Sequence, residues 1–361
     1  MVSKMEMINY KCFAKKEIKF SEMTILAGAN AAGKSSIIQA LLLFFGSLTN
    51  SDKKMDVINV SNVLKIQAGG PKSLVAQNPV ELENADFKLS IYDGQKWSVI
   101  NYKIDMLSPL KLIAEKESIS IMNELFYLNA ERMGPRISYA AGIDDKIVSD
   151  GSNAAYLMDR ADMTGRKIHE SLALNGHASK FSIHVEEWMN AILGDVSFSL
   201  STDLVKATTD IKYLNSMVNQ EILPTMTGFG ISYILSIVTA GLWCSCLEGA
   251  VLVVENPEAH LHPYSQSQMG KFLMLLTNAG VQVIVETHSE HIIDGARIQA
   301  AHMKKTNQMC VNFLLPEANE IKIKEIEVLV TGELSEWPTG FFDQKSQDLR
   351  ELFTMRKQNA N

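Results

Sequence analysis

Gly28-Ala-Asn-Ala-Ala-Gly-Lys-Ser35 matches the pattern G-x-x-x-x-G-K-[ST] at every position. An apolar run, Met23 to Ala27, leads into it, and apolar residues at helical spacing (Ile37, Ile38, Leu41, Leu42, Phe45) lead away toward Leu48. Strand, glycine loop and helix in that order predict a phosphate-binding loop. The glycines let backbone N–H groups turn inward around an anion, and the start of the helix adds partial positive charge. Gly28, Asn30, Ala31, Ala32, Gly33, Lys34, Ser35 and Ser36 are therefore expected to hold ATP. Within that set Lys34 would reach the β- and γ-phosphates, and the Ser35 hydroxyl would help hold Mg²⁺.

Composition agrees with a globular nucleotide enzyme. The chain has 361 residues, 46% of them hydrophobic and 21% charged, with no low-complexity tract, which excludes a disordered protein. Net charge is −7, whereas a nucleic-acid coat protein is usually basic, so any DNA contact is expected to be local. Lys11, Lys15, Lys16 and Lys19 make the most basic patch, read as a solvated strand face ahead of a DNA contact. The start of the chain has no apolar core with a cleavage site, and the four cysteines are scattered, which predicts a cytoplasmic location. Ile222 to Leu247 carries no charge, but it contains Pro224, Gly228, Gly230 and Gly241 and is expected to be a buried helix, not a membrane span.

Further along, two more apolar runs end in chemistry. Val251-Leu-Val-Val-Glu255 reads as a central parallel strand delivering a carboxylate to Mg²⁺, and Val281 to Glu286 reads as a second one that runs into Thr287-His288-Ser289. In open α/β sheets ligands bind at the carboxyl ends of parallel strands, so the glycine loop, Glu255 and His288 are expected to converge. Val80 to Tyr102 alternates like antiparallel strands with an Asp93-Gly94 turn, and Leu125 to Leu128 reads as a short buried strand. Arg132 and Arg136, after that strand, either point at a phosphate or pair with acids. His260-x-His262 is read as interface in preference to zinc.

The order of phosphate loop, glycine-rich Thr227-Gly-Phe-Gly230 with Ser232, apolar helix, acidic strand and His-bearing strand resembles the ABC-type ATPase head of SMC, RecF and overcoming-lysogenization-defect proteins. Leu128-Asn-Ala-Glu-Arg-Met-Gly-Pro-Arg136, Val254-Glu-Asn-Pro-Glu-Ala-His-Leu-His-Pro263, Glu286-Thr-His-Ser289 and Glu336-Trp-Pro-Thr-Gly-Phe-Phe-Asp343 look more closely like a group of small bacterial AAA-family ATPases. Those carry a C-terminal W-P-x-G-F-F-D domain of unknown function and often occur in anti-phage defence operons. The resemblance implies an α/β fold: an ABC-type P-loop head with a mixed central sheet, an antiparallel β subdomain and an inserted, mostly helical lobe. It divides the chain into residues 1–136, 137–226, 227–306 and 307–361.

The same resemblance implies the roles. Glu255 holds Mg²⁺, His288 contacts the γ-phosphate, and Ala259 to His262 form the loop that crosses to a partner. Gly228, Gly230 and Ser232 cover the ATP of a second copy, making a homodimer or higher oligomer. Gln67 or Gln77 would be the glutamine that senses Mg²⁺. Asn256 stands where most heads carry the catalytic glutamate, and an amide cannot act as a general base, so Glu258 is the alternative carboxylate. The 73 residues after His288 are fewer than a nuclease domain needs, so a nuclease or toxin effector would be a separate protein. The rival function is a compact RecF-like DNA-repair ATPase; the absence of sustained heptads excludes a long coiled-coil arm.

Overall fold

The computed structural model of the chain describes residues 1–48, 54–65, 70–83, 85–105, 111–121, 123–142, 146–176, 180–215, 220–317 and 320–359. Gln67 lies outside them. At its centre is a six-stranded sheet in the order β16-β15-β3-β14-β13-β8. Its strands are β3 (Met23–Gly28), β8 (Leu125–Leu128), β13 (Val251–Glu255), β14 (Gln282–Glu286), β15 (Met309–Glu317) and β16 (Glu320–Glu327). All neighbours are parallel except β15 and β16, so the sheet is mixed at one edge.

Both faces of this sheet are covered, which explains why its strands read as unbroken apolar runs. Met23, Ile25, Leu252, Val254, Val283 and Val285 point into one core, and Leu26, Val251, Val253 and Ile284 into the other. The first core lies under α3 (Ala154–Met163), α4 (Phe181–Leu193), α5 (Phe229–Cys244), α6 (Pro263–Leu275) and α7 (Glu290–His302). The second holds α1 (Lys34–Gly46) against an antiparallel sheet. That sheet runs β2-β1-β5-β6-β7-β4, from β1 (Lys4–Tyr10), β2 (Phe13–Lys19), β4 (Met55–Asn59), β5 (Phe87–Tyr92), β6 (Trp97–Ile104) and β7 (Lys111–Ser118). A short helix, α2 (Val60–Leu64), follows β4. The expected turn at Asp93-Gly94 joins β5 to β6, with the Asp93 carboxylate accepting from the N–H groups of Gln95 and Lys96.

The inserted segment expected to be mostly helical also contains strands. Besides α3 and α4 it holds a four-stranded antiparallel sheet: β10 (Ser197–Asp203), β11 (Thr208–Asn215) and β12 (Gln220–Ile222), with β9 (Ser138–Ala140) also on β11. On β11 Thr209, Ile211 and Tyr213 are buried between exposed Asp210, Lys212 and Leu214, and on β10 half-buried Phe198 and Leu200 flank exposed Ser199, a period-two pattern that could have marked them as strands. The uncharged stretch becomes α5, buried from Ile234 to Cys244 and ending three residues before Leu247. No helix among the described residues is long and apolar enough to cross a membrane.

The C-terminal aromatic motif packs on the core-facing side of β15. Phe341 is fully buried against Phe313, and Trp337 and Phe342 pack on it edge to face. An exposed helix, α8 (Gln344–Asn359), follows.

Candidate active site

The phosphate loop leaves β3 at Gly28 (φ 146°), where a Cβ would lie 2.5 Å from the Leu314 carbonyl oxygen, so only glycine fits. Gly33 caps α1 at φ 94°, and no side chain accepts a hydrogen bond from the first turn of the helix. Ala29, Asn30 and Ala31 are exposed at the mouth, Ala32 is buried, and Ser35 is exposed on the first turn. Uncapped amides at a helix start beside a lysine fit a polyphosphate. Ser36 instead faces the turn between β1 and β2, hydrogen-bonded to the Cys12 thiol.

Lys34 is buried and folded back: its Nζ donates to the Gly28 carbonyl (2.8 Å) and the Ala29 carbonyl (3.0 Å). It also lies 3.5 Å from Glu286 Oε1. That same oxygen is 3.3 Å from His288 Nε2. Glu286 closes β14 in register with Leu26 on one side and Glu255 on the other, so two carboxylates stand side by side at neighbouring strand ends. Burial, then the other carboxylate, pushes the Glu255 pKa up; the Tyr127 hydroxyl, the Ala130 N–H and Arg132 oppose this. Burial also raises Glu286, while Lys34 pulls it down. His288 is held low by burial and by Lys34.

Beyond Glu255 the chain turns through Asn256 in the left-handed region (φ 44°). Arg132 holds this turn. Its Nη1 donates to the carbonyls of Asn129 (2.9 Å) and Glu255 (2.6 Å), its Nη2 to that of Asn256 (2.6 Å), and its guanidinium lies over the Tyr233 ring. The hydrogen bonds of Arg132 go to backbone carbonyls, and the Glu258 and Glu255 carboxylates act on its charge without a direct hydrogen bond. Arg136 is exposed, with Nε against the Met133 sulfur at 3.4 Å. The Glu258 carboxylate accepts from the Thr287 hydroxyl and the His288 N–H, each at 2.7 Å, tying the loop after β13 to the loop after β14.

The glycine-rich segment lies across the His260 loop. The Phe229 and Tyr233 rings pack on the His260 ring, and a Cβ on Gly230 would meet the His260 carbonyl oxygen at 2.8 Å. His262 accepts from the Tyr264 N–H at the start of α6. Gly228 is exposed at the N-terminus of α5. Ser232 differs from expectation: it is buried beside Tyr213, because the fourth residue of α5 faces the core and not the surface. Gln77 is exposed, just beyond the bridge between Tyr10 and Val75. Three of the four lysines in the basic patch have partners within the chain, Lys11 with Gln39, Lys15 with Glu6 and Lys19 with Glu325.

Three residues of this site were not singled out by the sequence: Glu286, Tyr127 and the clamping role of Arg132. Glu286 carried the same signal as Glu255, an acid closing an apolar strand. Tyr127 and Arg132 act through partners more than a hundred residues away, which local patterns do not reveal.

Sheet order, phosphate loop and paired acidic strand ends define an ABC-type P-loop ATPase head. An SMC head bound to the C-winged helix domain of ScpA aligns over 91% of this chain and 98% of its own, at 14% identity and a TM-score of 0.55. A Smc head domain with an extended coiled coil from Pyrococcus furiosus, bound to the C-terminal domain of ScpA, covers 97% and 99% at 14% identity and a TM-score of 0.54. At that identity the likeness is one of fold. The AAA ATPase domain family model matches residues 1–133 and 155–293, and the chain belongs to that family. Residues 311–352 match a second family, described as a protein of unknown function (DUF3696). No curated protein matches the chain.

Proposed function

We propose that this chain is a Mg·ATP-hydrolysing ATPase that closes on a second copy around ATP and passes its nucleotide state to a separate effector, a nuclease or toxin, in bacterial anti-phage defence. The observation that carries the ATPase reading is the cluster of Lys34, Glu286 and His288, joined by contacts of 3.5 and 3.3 Å beside uncapped α1 amides. Mg²⁺ held beside the phosphates would supply neutralisation of the charge that develops there. Ser35 and Glu255 are its ligands in this reading, a small protein share that suits an ion keeping several waters.

Lys34 leaves the carbonyls of Gly28 and Ala29 to meet the phosphates, and His288 meets the γ-phosphate. Asn256 orients the attacking water; Glu258 either accepts its proton or keeps its present role of holding the His288 loop. Pairing of two copies is supported by the exposed Gly228, Met226 (78% exposed), Phe229 (53%) and Tyr264 (62%), which flank the His260 loop. A partner protein is supported by the two SMC heads, each bound to a ScpA domain. The defence setting rests on the sequence resemblance.

The test is purification of the native complex with ATP and with ADP, beside Lys34→Ala. Loss of ATP binding in the variant and an ATP-dependent co-purifying effector are expected. Unchanged ATP affinity in Lys34→Ala would remove the reading. The SMC-like fold equally admits a DNA-repair ATPase; DNA stimulation of hydrolysis that falls steeply with salt would favour it.

A further inference from the structure

Glu286 sits at the one point of the site where the phosphate loop and the histidine strand meet. Its side chain is 7% exposed, and a single oxygen, Oε1, faces both Lys34 Nζ at 3.5 Å and His288 Nε2 at 3.3 Å. Lys34 is equally buried, whereas the His288 ring is 42% exposed and lies on a loop. Such a ring has two free torsions unless something holds it. Here Glu286 holds the imidazole, while Glu258 takes the His288 backbone N–H and so fixes the loop that carries the ring.

We propose that Glu286 is a positioning residue for ATP hydrolysis, coupling Lys34 to His288 so that movement of the lysine onto incoming phosphates re-aims the histidine. The proposal rests on the ATPase reading above and deepens it. In this reading Lys34 turns from Gly28, Ala29 and Glu286 toward the phosphate chain, and its departure leaves Glu286 with the imidazole Nε2 as its remaining partner. The carboxylate then holds Nε2–H, and the ring presents its other edge toward the phosphate side of the loop. Phosphoryl transfer depends mainly on positioning and charge placement, so a group that never touches ATP can still limit turnover.

The experiment is a kinetic cycle on the full chain: Glu286→Ala, Glu286→Gln, His288→Ala and the double variant Glu286→Ala/His288→Ala. Steady-state ATPase is read beside equilibrium binding of a fluorescent ATP analogue. Glu286→Ala is expected to bind ATP within about threefold of wild type while kcat falls at least about tenfold. Glu286→Gln, which keeps an acceptor for Nε2–H, should fall between the two. Adding Glu286→Ala to His288→Ala should cost no more than about twofold further, since coupled residues are non-additive. Wild-type kcat in Glu286→Ala overturns the proposal, and so do losses that multiply in the double variant, or a Gln variant as slow as the Ala variant, which would mark a proton acceptor. Should Glu286→Ala fail to fold, the Gln variant with His288→Ala completes the same cycle. A wild-type chain that binds and hydrolyses no ATP overturns the ATPase reading first, and this proposal with it.

Discussion

Arg132→Met tests whether the turn after β13 is held from outside the strand. The guanidinium is 4% exposed and makes three hydrogen bonds to carbonyls, two of them at 2.6 Å. Burial pulls its pKa down to about 10, so carrying the charge costs roughly 3 kcal/mol. Each hydrogen bond from a charged donor contributes about 1.5–3 kcal/mol, so three of them outweigh that cost. Methionine fills much of the space but leaves the Glu255 and Asn256 carbonyls without a donor. The expected loss is about 2–5 kcal/mol in urea unfolding, with a fall in kcat because the Glu255 carboxylate and Asn256 lose their fixed backbone. Arg132→Lys should lose about half as much, since one ammonium cannot span two successive carbonyls as a planar fork does. If Arg132→Met unfolds at the wild-type midpoint and hydrolyses ATP at the wild-type rate, the clamp holds nothing and the reasoning fails.

Other perturbations separate packing from chemistry. In Gly295→Ala the new Cβ would lie 2.0 Å from the Ser267 carbonyl oxygen where α7 crosses α6, so a loss of about 3 kcal/mol should override the ~1 kcal/mol that alanine normally gains in a helix. A wild-type urea midpoint would show that the helices separate freely. Ser232→Ala should leave ATPase unchanged and stability within about 1 kcal/mol, because the side chain is buried in the fold; a loss of ATP-dependent pairing would return Ser232 to the nucleotide. The folded state raises the Glu255 pKa above 4.5 and so binds its proton better than the unfolded chain does. Stability from this group is present at low pH and is lost as pH rises through the raised value. Without nucleotide, Glu255→Gln should therefore gain on wild type in melting temperature between pH 5 and pH 8, and a constant difference between the two proteins would contradict the shift.

Much of this site was legible because its parts are local. Gly28 to Ser35 carries its own geometry, since a left-handed Gly33 and an uncapped helix start are properties of eight consecutive residues. Val251 to Glu255 and Val281 to Glu286 announce themselves as strands covered on both faces because burial on both sides demands apolar residues at nearly every position, the buried Gln282 being met by the backbone of Val2 and Ser21. The β9 to β12 sheet was less legible because few of its positions must be apolar: on β10 Phe198 and Leu200 pack toward the core beside exposed Ser199 and Ser201.

What the sequence determined by itself was the presence of a nucleotide loop, the acidic and histidine-bearing strand ends, and the order in which they follow one another. Only the tertiary structure decided that Glu286 stands between Lys34 and His288, that Arg132 spends its charge on backbone carbonyls, and that Ser232 faces inward. Residues distant along the chain become neighbours through parallel strand pairing, where a register of one residue sets which side chains meet. That register is a product of packing two cores against one sheet, and no window of sequence contains it.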